Sequence, residues 1–200
     1  KRDHPLAPYV HCGAHVTHLV ASSASSPVPL VRDSLSLVQD LGNLNKASGK
    51  VKLIFKRVAL NDDLGGGDTQ EDFQAIKSLC PTRWLSRCAA IKPVPSGYGH
   101  VLKSLEAAAE ELAAETATKA NGLLKRFQDA STLLGLQITM QVLPLLESLN
   151  KRLQSTSMTV SGMIDAVECV KDELKRRRSE EDFKVLLARV NDSIEELELE

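Results

Sequence analysis

Four of the five histidines, His4, His11, His15 and His18, fall in the first eighteen residues. Cys12 stands among them in the run His11-Cys12-Gly13-Ala14-His15-Val16-Thr17-His18. Cys12 and His15 have the Cys-x-x-His spacing at which a thiolate and an imidazole can chelate zinc, and His15 and His18 would lie one helical turn apart. A structural zinc site takes four ligands, usually as two pairs. The second cysteine pair is missing, because Cys80 and Cys88 lie far along the chain and are separated by seven residues. The expectation is therefore no metal, with Cys12 and His15 packing and hydrogen-bonding at a strand–helix junction. A nucleophilic dyad fares worse. His11 and Cys12, adjacent on a strand, would point to opposite faces, and Cys12 with His15 has no nearby acid to orient the imidazole.

Trp84 is the single tryptophan and follows Arg83 in the turn-prone run Cys80-Pro81-Thr82-Arg83-Trp84. It serves either as a core anchor with Arg83 paired to an acid, or as an aromatic platform for a base with Arg83 on a phosphate. Other candidates read as ordinary surface. Gly65-Gly66-Gly67 is not followed by the Gly-Lys-Ser/Thr of a phosphate loop and reads as a connector. Nothing in position singles out a general acid or base among Asp62-Asp63, Glu110-Glu111 and Glu180-Glu181-Asp182. The cluster Lys175-Arg176-Arg177-Arg178 closes a helix, where the macrodipole favours cations; a phosphate or partner contact is its alternative role.

The elements that must hold these residues are helical. Apolar residues make up 42% of the chain and aromatic ones only 4%, so the core has to be aliphatic, a bias that favours helix over sheet. A net charge of −1 provides no global basic field for nucleic acid. The four scattered cysteines read as free thiols of a reducing compartment. The apolar stretch from Leu133 to Leu146 is interrupted by Gln137, Thr139, Gln141 and Pro144 and is too short and polar to span a bilayer. A soluble, intracellular protein with no membrane partner is expected. The chain opens on Lys1 without an initiator methionine, as an excerpt of a longer protein would.

Pro8 to Cys12 reads as one buried strand. A short helix over Ala14–Ala21 dies in the serine-rich run that follows. Leu30, Val31, Leu35, Val38 and Leu41 have helical spacing, ending near Gly42. Further helices are predicted over Lys46–Val58, Asp72–Leu79 and Ser86–Lys92, with a loop from Asn61 to Thr69 and stops at Pro93 and Pro95. Longer ones follow over Gly97–Ala114, Thr116–Asp129, Ser131–Gln154 with a kink at Pro144, and Ser157–Arg178. Ser179 N-caps a last helix, with Asp182 completing an imperfect capping box.

Two of these segments, taken in order, resemble those of the hAT-superfamily transposases. Tyr9-Val10-His11-Cys12-Gly13-Ala14-His15-Val16-Thr17-His18-Leu19-Val20 is similar to the family's "HC-x-AH-x-x-N-L-V" segment, and Leu79-Cys80-Pro81-Thr82-Arg83-Trp84 to its "L-x-x-TRW" segment. Asn43 to Lys50 looks like part of the helix pair that separates them. The closest likeness is to the family's zinc finger MYM-type branch, although no MYM zinc finger is present here. The resemblance implies a ribonuclease H-like core, split by a helical insertion, whose DDE triad holds divalent metal such as magnesium for two-metal strand cleavage and transfer. It also implies that both catalytic aspartates precede the Cys-x-x-His segment and that the glutamate follows the insertion, so none falls in this chain.

On that likeness the fold class is mainly α. A short ribonuclease H-like remnant, one strand plus a helix, is followed by an all-helical insertion-type domain. The boundaries are 1–26 for the tail of the core, 27–96 for a helical connector with the TRW segment, and 97–200 for the insertion. Cys12 and His15 match the pair that supports the catalytic strand, and Trp84, with Arg83 beside it, matches the tryptophan that stacks on DNA at the transposon end. His18 stands where the family has asparagine. The expected function is a non-catalytic, nuclear piece of a transposase or domesticated derivative, with no cofactor of its own and with DNA, a second copy or another protein as partner. The alternative is a helical protein-interaction or dimerisation module without DNA binding; a zinc-dependent regulator built on Cys12, His15 and His18 is the third reading. A fragment cut from such a core would also expose the apolar face of Ala14–Ala21, leaving residues 1–26 weakly anchored while the helices after Tyr98 pack well.

Overall fold

Leucine, alanine and valine at helical spacing, with few aromatics, leave the chain little to build with except aliphatic seams between helices. The computed structural model describes residues 12–62 and 88–200. Helix accounts for 85% of these, and no strand occurs among them. The predicted strand falls, apart from Cys12, outside the described residues. Cys12 itself is the extended residue that leads into α1 (Gly13–Ser25). A mainly α fold is thus found, and the helix expected after the strand is present as α1. The expected helix over Asp72–Leu79, the three-glycine connector and the TRW segment also lie outside them.

Several boundaries differ from the sequence reading for identifiable reasons. α1 does not stop at Ala21 but runs to Ser25, and the half-buried Ser25 satisfies its hydroxyl within the helix, Oγ donating to Ser22 O at 3.2 Å. Ser26 and Pro27 end it. α2 (Pro29–Ala47) starts with proline in its first turn, where no N–H is needed. It passes through Gly42, which is buried together with Leu41, Leu44 and Asn45, so packing overrides the weak propensity of glycine. Ser48 breaks it with extended backbone and caps α3 (Gly49–Asp62), its Oγ accepting from Val51 N at 3.3 Å. Asn61 and Asp62, expected in the loop, close α3. Two short helices follow, α4 (Cys88–Ile91) and α5 (Pro93–Ser96). Pro93 opens α5 rather than stopping a helix, again because the first turn tolerates it.

α6 (Tyr98–Glu111) and α7 (Ala114–Phe127) form a hairpin joined through Leu112 and Ala113. Its two outer ends are tied together: the Tyr98 hydroxyl donates to Phe127 O at 2.7 Å, and the two rings meet edge to face at 5.6 Å. Burial pushes the Tyr98 hydroxyl far above the usual tyrosine range, with Asp129 adding to the shift, so it stays a donor. Asp129 then caps α8 (Ala130–Leu153), accepting from Ser131 N at 2.8 Å. α9 (Val160–Arg176) is capped by Thr159 and α10 (Glu180–Glu196) by Ser179. Half of the predicted capping box is present: Ser179 Oγ accepts from Asp182 N at 3.1 Å, but Asp182 Oδ2 accepts from Ser179 Oγ at 2.9 Å while the Ser179 N–H donates to Arg176 O.

α8 is the element around which α1, α2, α9 and α10 pack, while α3 lies on α2 and α6. One buried cluster joins Leu37, Val38 and Leu41 of α2, Val51 of α3, Val101 and Leu105 of α6, Phe127 of α7, and Leu133, Leu136 and Leu143 of α8. By length and composition alone α8 would pass for a membrane span, which the shorter Leu133–Leu146 window does not suggest. Four of its leucines, Leu133, Leu136, Leu143 and Leu149, are instead buried against the protein. α1 is held along a narrow strip, with Thr17 and Ala21 buried and Val16, Leu19 and Val20 exposed.

Candidate functional site

The Cys-x-x-His pair sits at the start of α1. Cys12 is an exposed free thiol, and as N-cap its backbone accepts from Val16 N at 3.0 Å while its side chain caps nothing. His15 is exposed and His18 half-buried, their rings stacked with centroids 6.3 Å apart. Thr17, between them, turns inward and donates to Gly13 O at 3.0 Å. The start of α1 abuts the end of α8: a methyl group added at Gly13 would lie 3.7 Å from Leu153. Helical geometry brings His15 and His18 together as the spacing predicted. Among the described residues no group of three or more His, Cys, Asp and Glu is gathered as a metal would require. His4, His11, Cys80, Arg83 and Trp84 lie outside the described residues.

Three of the four cations in the basic cluster, Lys175, Arg176 and Arg177, are tied up within the molecule. Arg176 makes a two-point pair with Glu173 at 2.8 Å through both bonds, and Arg177 Nε reaches the same carboxylate at 2.7 Å. The Arg176 and Arg177 guanidiniums hold the Glu173 carboxyl well below its usual range, at about 2. Lys175 pairs with Asp172 at 3.0 Å. Arg177 Nη1 also donates to Gln141 O at 2.7 Å. Gln141 precedes Pro144, whose missing N–H and bulky ring loosen the preceding turn of a helix. The arginine thereby fastens the end of α9 to α8 beside its proline. Of the acidic pairs, Glu111 is bound to Arg57 of α3, and Glu180, Glu181 and Asp182 occupy the first turn of α10, where the helix dipole favours them.

Cys88, not singled out as a site in sequence, is buried on α4. Burial and a hydrogen bond to Glu147 of α8 push its thiol up to about 11, so it stays protonated and inert.

What the sequence reading missed is a surface. α9 has apolar residues over nearly half its circumference, Met163, Val167, Val170 and Leu174 among them. Only Ala166 is fully buried against α8. The flank carrying Val160, Ile164 and Val167 faces outward, with Val160 75% and Ile164 59% exposed. Three aliphatic side chains at i, i+4 and i+7 form a ridge with no partner among the described residues. The signal in sequence is the width of the apolar arc, broader than one neighbouring helix can cover.

No protein-family model, no curated protein and no solved structure matches the chain.

Proposed function

We propose that the chain is a non-catalytic helical module that works by self-association, its α9 ridge packing against the ridge of a second copy. The observation that carries this reading is the unpartnered row Val160, Ile164 and Val167 on a helix whose other face is already docked on α8. Burying such a row releases water from apolar surface. A second copy is the simplest partner, because a two-fold axis sets identical rows against each other. Light scattering on the eluting protein tests it. The parent chain is expected to run above its monomer mass of 21.8 kDa, and Ile164→Lys to return it to the monomer with unchanged helicity. A monomeric parent at high concentration would remove the basis for the reading.

The frame we propose for this module is a piece of a hAT-type transposase or a nuclear, domesticated derivative. It rests on the ordered pair of the Cys12–His15 segment and Thr82-Arg83-Trp84. The same pair favours a second reading, contact with a DNA end through Trp84 stacking and Arg83 on phosphate. A gel shift with hairpin DNA decides that one: Trp84→Ala and Arg83→Ala must each weaken binding, and equal binding by parent and variants refutes it.

A further inference from the structure

From Leu41 to Asn61 the chain holds five cations, Lys46, Lys50, Lys52, Lys56 and Arg57, and no acid, in a protein whose net charge is −1. Four of them lie on α3, and the structure orders them. Val51, Ile54 and Phe55 are buried beneath α3, while Leu53 and Leu60 are 67% and 56% exposed on its outer side. At about 100° per residue, Leu60 falls within roughly 20° of Leu53, giving a ridge of two leucines. Lys50 and Arg57 flank that ridge at roughly 40–60° on one side, with Lys56 and Lys52 at roughly 60–100° on the other. The result is an apolar ridge between two cationic rails. Arg57 shares its charge with Glu111 of α6, whereas Lys46, Lys50, Lys52 and Lys56 have no carboxylate partner among the described residues.

We propose that this outer face of α3 docks on an anionic lipid bilayer. Unpaired lysines on both flanks call for an extended anionic surface. Nucleic acid would satisfy the rails but leave the leucine ridge facing hydrated phosphates. The exposed face also has no aromatic residue on which a base could stack, Phe55 being buried. A bilayer interface answers both features: headgroups meet the ammonium groups, the lysine stems lie along the surface, and the leucines enter the acyl boundary. Peripheral docking needs no spanning segment, so the absence of one in the sequence reading does not bear on it. The proposal concerns α3 and is independent of self-association through α9.

The test is co-sedimentation of the full chain with sucrose-loaded phosphatidylcholine vesicles, with or without about 30 mol% phosphatidylserine, in about 0.1 M KCl. Binding is expected to the anionic vesicles only. Each lysine at such a surface contributes about a fivefold factor, so K50Q/K52Q/K56Q together lower partitioning roughly a hundredfold. The matching triple lysine-to-arginine variant retains it. Leu53→Ser costs roughly tenfold through the lost apolar contact. Circular dichroism checks that each variant folds, and Lys171→Gln, on α9, serves as a control that leaves binding unchanged. No binding to anionic vesicles, equal binding to neutral ones, or indifference to Leu53→Ser overturns the proposal. Preferential binding to random duplex DNA at the same salt, unaffected by Leu53→Ser, would assign the lysine rails to nucleic acid instead.

Discussion

Gly135 lies on α8 where α2 crosses it, and replacing it with alanine probes a close approach of the two helices. An added Cβ would fall far inside van der Waals contact with Ser34 Oγ and the Leu30 carbonyl oxygen, and 3.2 Å from the Leu30 carbonyl carbon. The Ser34 hydroxyl could rotate away, but only by giving up its 2.7 Å bond to Leu30 O. The Leu30 carbonyl belongs to the first turns of α2 and cannot retreat unless the helix does. Overpacking of this kind costs about 1–3 kcal/mol, and the disturbed hydrogen bond about 1 kcal/mol more. Alanine returns about 0.5–1 kcal/mol through its better helix propensity. The net expectation is a loss of about 2 kcal/mol, or a drop in Tm of about 4–8 °C for a chain of this size. Urea and thermal melts followed by circular dichroism measure it. Gly122→Ala is the internal control, since nothing lies within 4 Å of the added atom and Gly122 is exposed on α7. That variant should gain about 0.5–1 kcal/mol. If Gly135→Ala is as stable as the parent, the α2–α8 packing described above is wrong.

Other predictions follow from single contacts. Tyr98→Phe removes the donor to Phe127 O and leaves that carbonyl unpaired at a buried helix end, a cost of about 1–3 kcal/mol in the same melts. Ser179→Ala deletes the cap of α10 and should cost about 1 kcal/mol, with Ser179→Thr, which keeps the hydroxyl, recovering most of it. The Glu173 carboxyl is depressed in the folded state to about 2, so the stability it contributes is present above its ordinary value and lost as pH falls from about 4.5 towards about 2. Glu173→Gln should flatten that part of the stability–pH profile, and an unchanged acid limb would contradict the pairing with Arg176 and Arg177. Peptide mapping after thiol labelling at pH 8 should find Cys12 and Cys169 modified quickly and Cys88 protected until the protein unfolds, since only Cys88 of these three is buried.

Helices with clear apolar stripes were legible in the sequence, because periodicity reports directly on the face a helix buries. Ser179 and Asp182 marked the start of α10, and the order of helices beyond Tyr98 follows from spacing alone. Boundaries were less legible where side chains or packing outweigh propensity. α1 runs on through its serines to Ser25, and burial of Gly42 carried α2 past its expected end. The role of Arg177 could not be read from a run of four cations, since it depends on a carbonyl of α8 beside Pro144, far away in sequence. Nor could exposure be read from Val160 and Ile164: an apolar arc gives the composition of a face, while its coverage depends on where α8 happens to lie. Of the residues that carry the family likeness, Arg83 and Trp84 fall outside the described structure, so that likeness stands on sequence alone.

The central claim, that the chain acts by self-association through α9, is tested most directly by sedimentation velocity over a wide concentration range. The parent is expected to shift from monomer to dimer as concentration rises. Ile164→Lys should stay monomeric throughout, whereas Val142→Lys, which alters an exposed apolar residue on α8, should still dimerise. A parent that sediments as a monomer at every concentration, or an Ile164→Lys variant that dimerises as the parent does, would contradict the account.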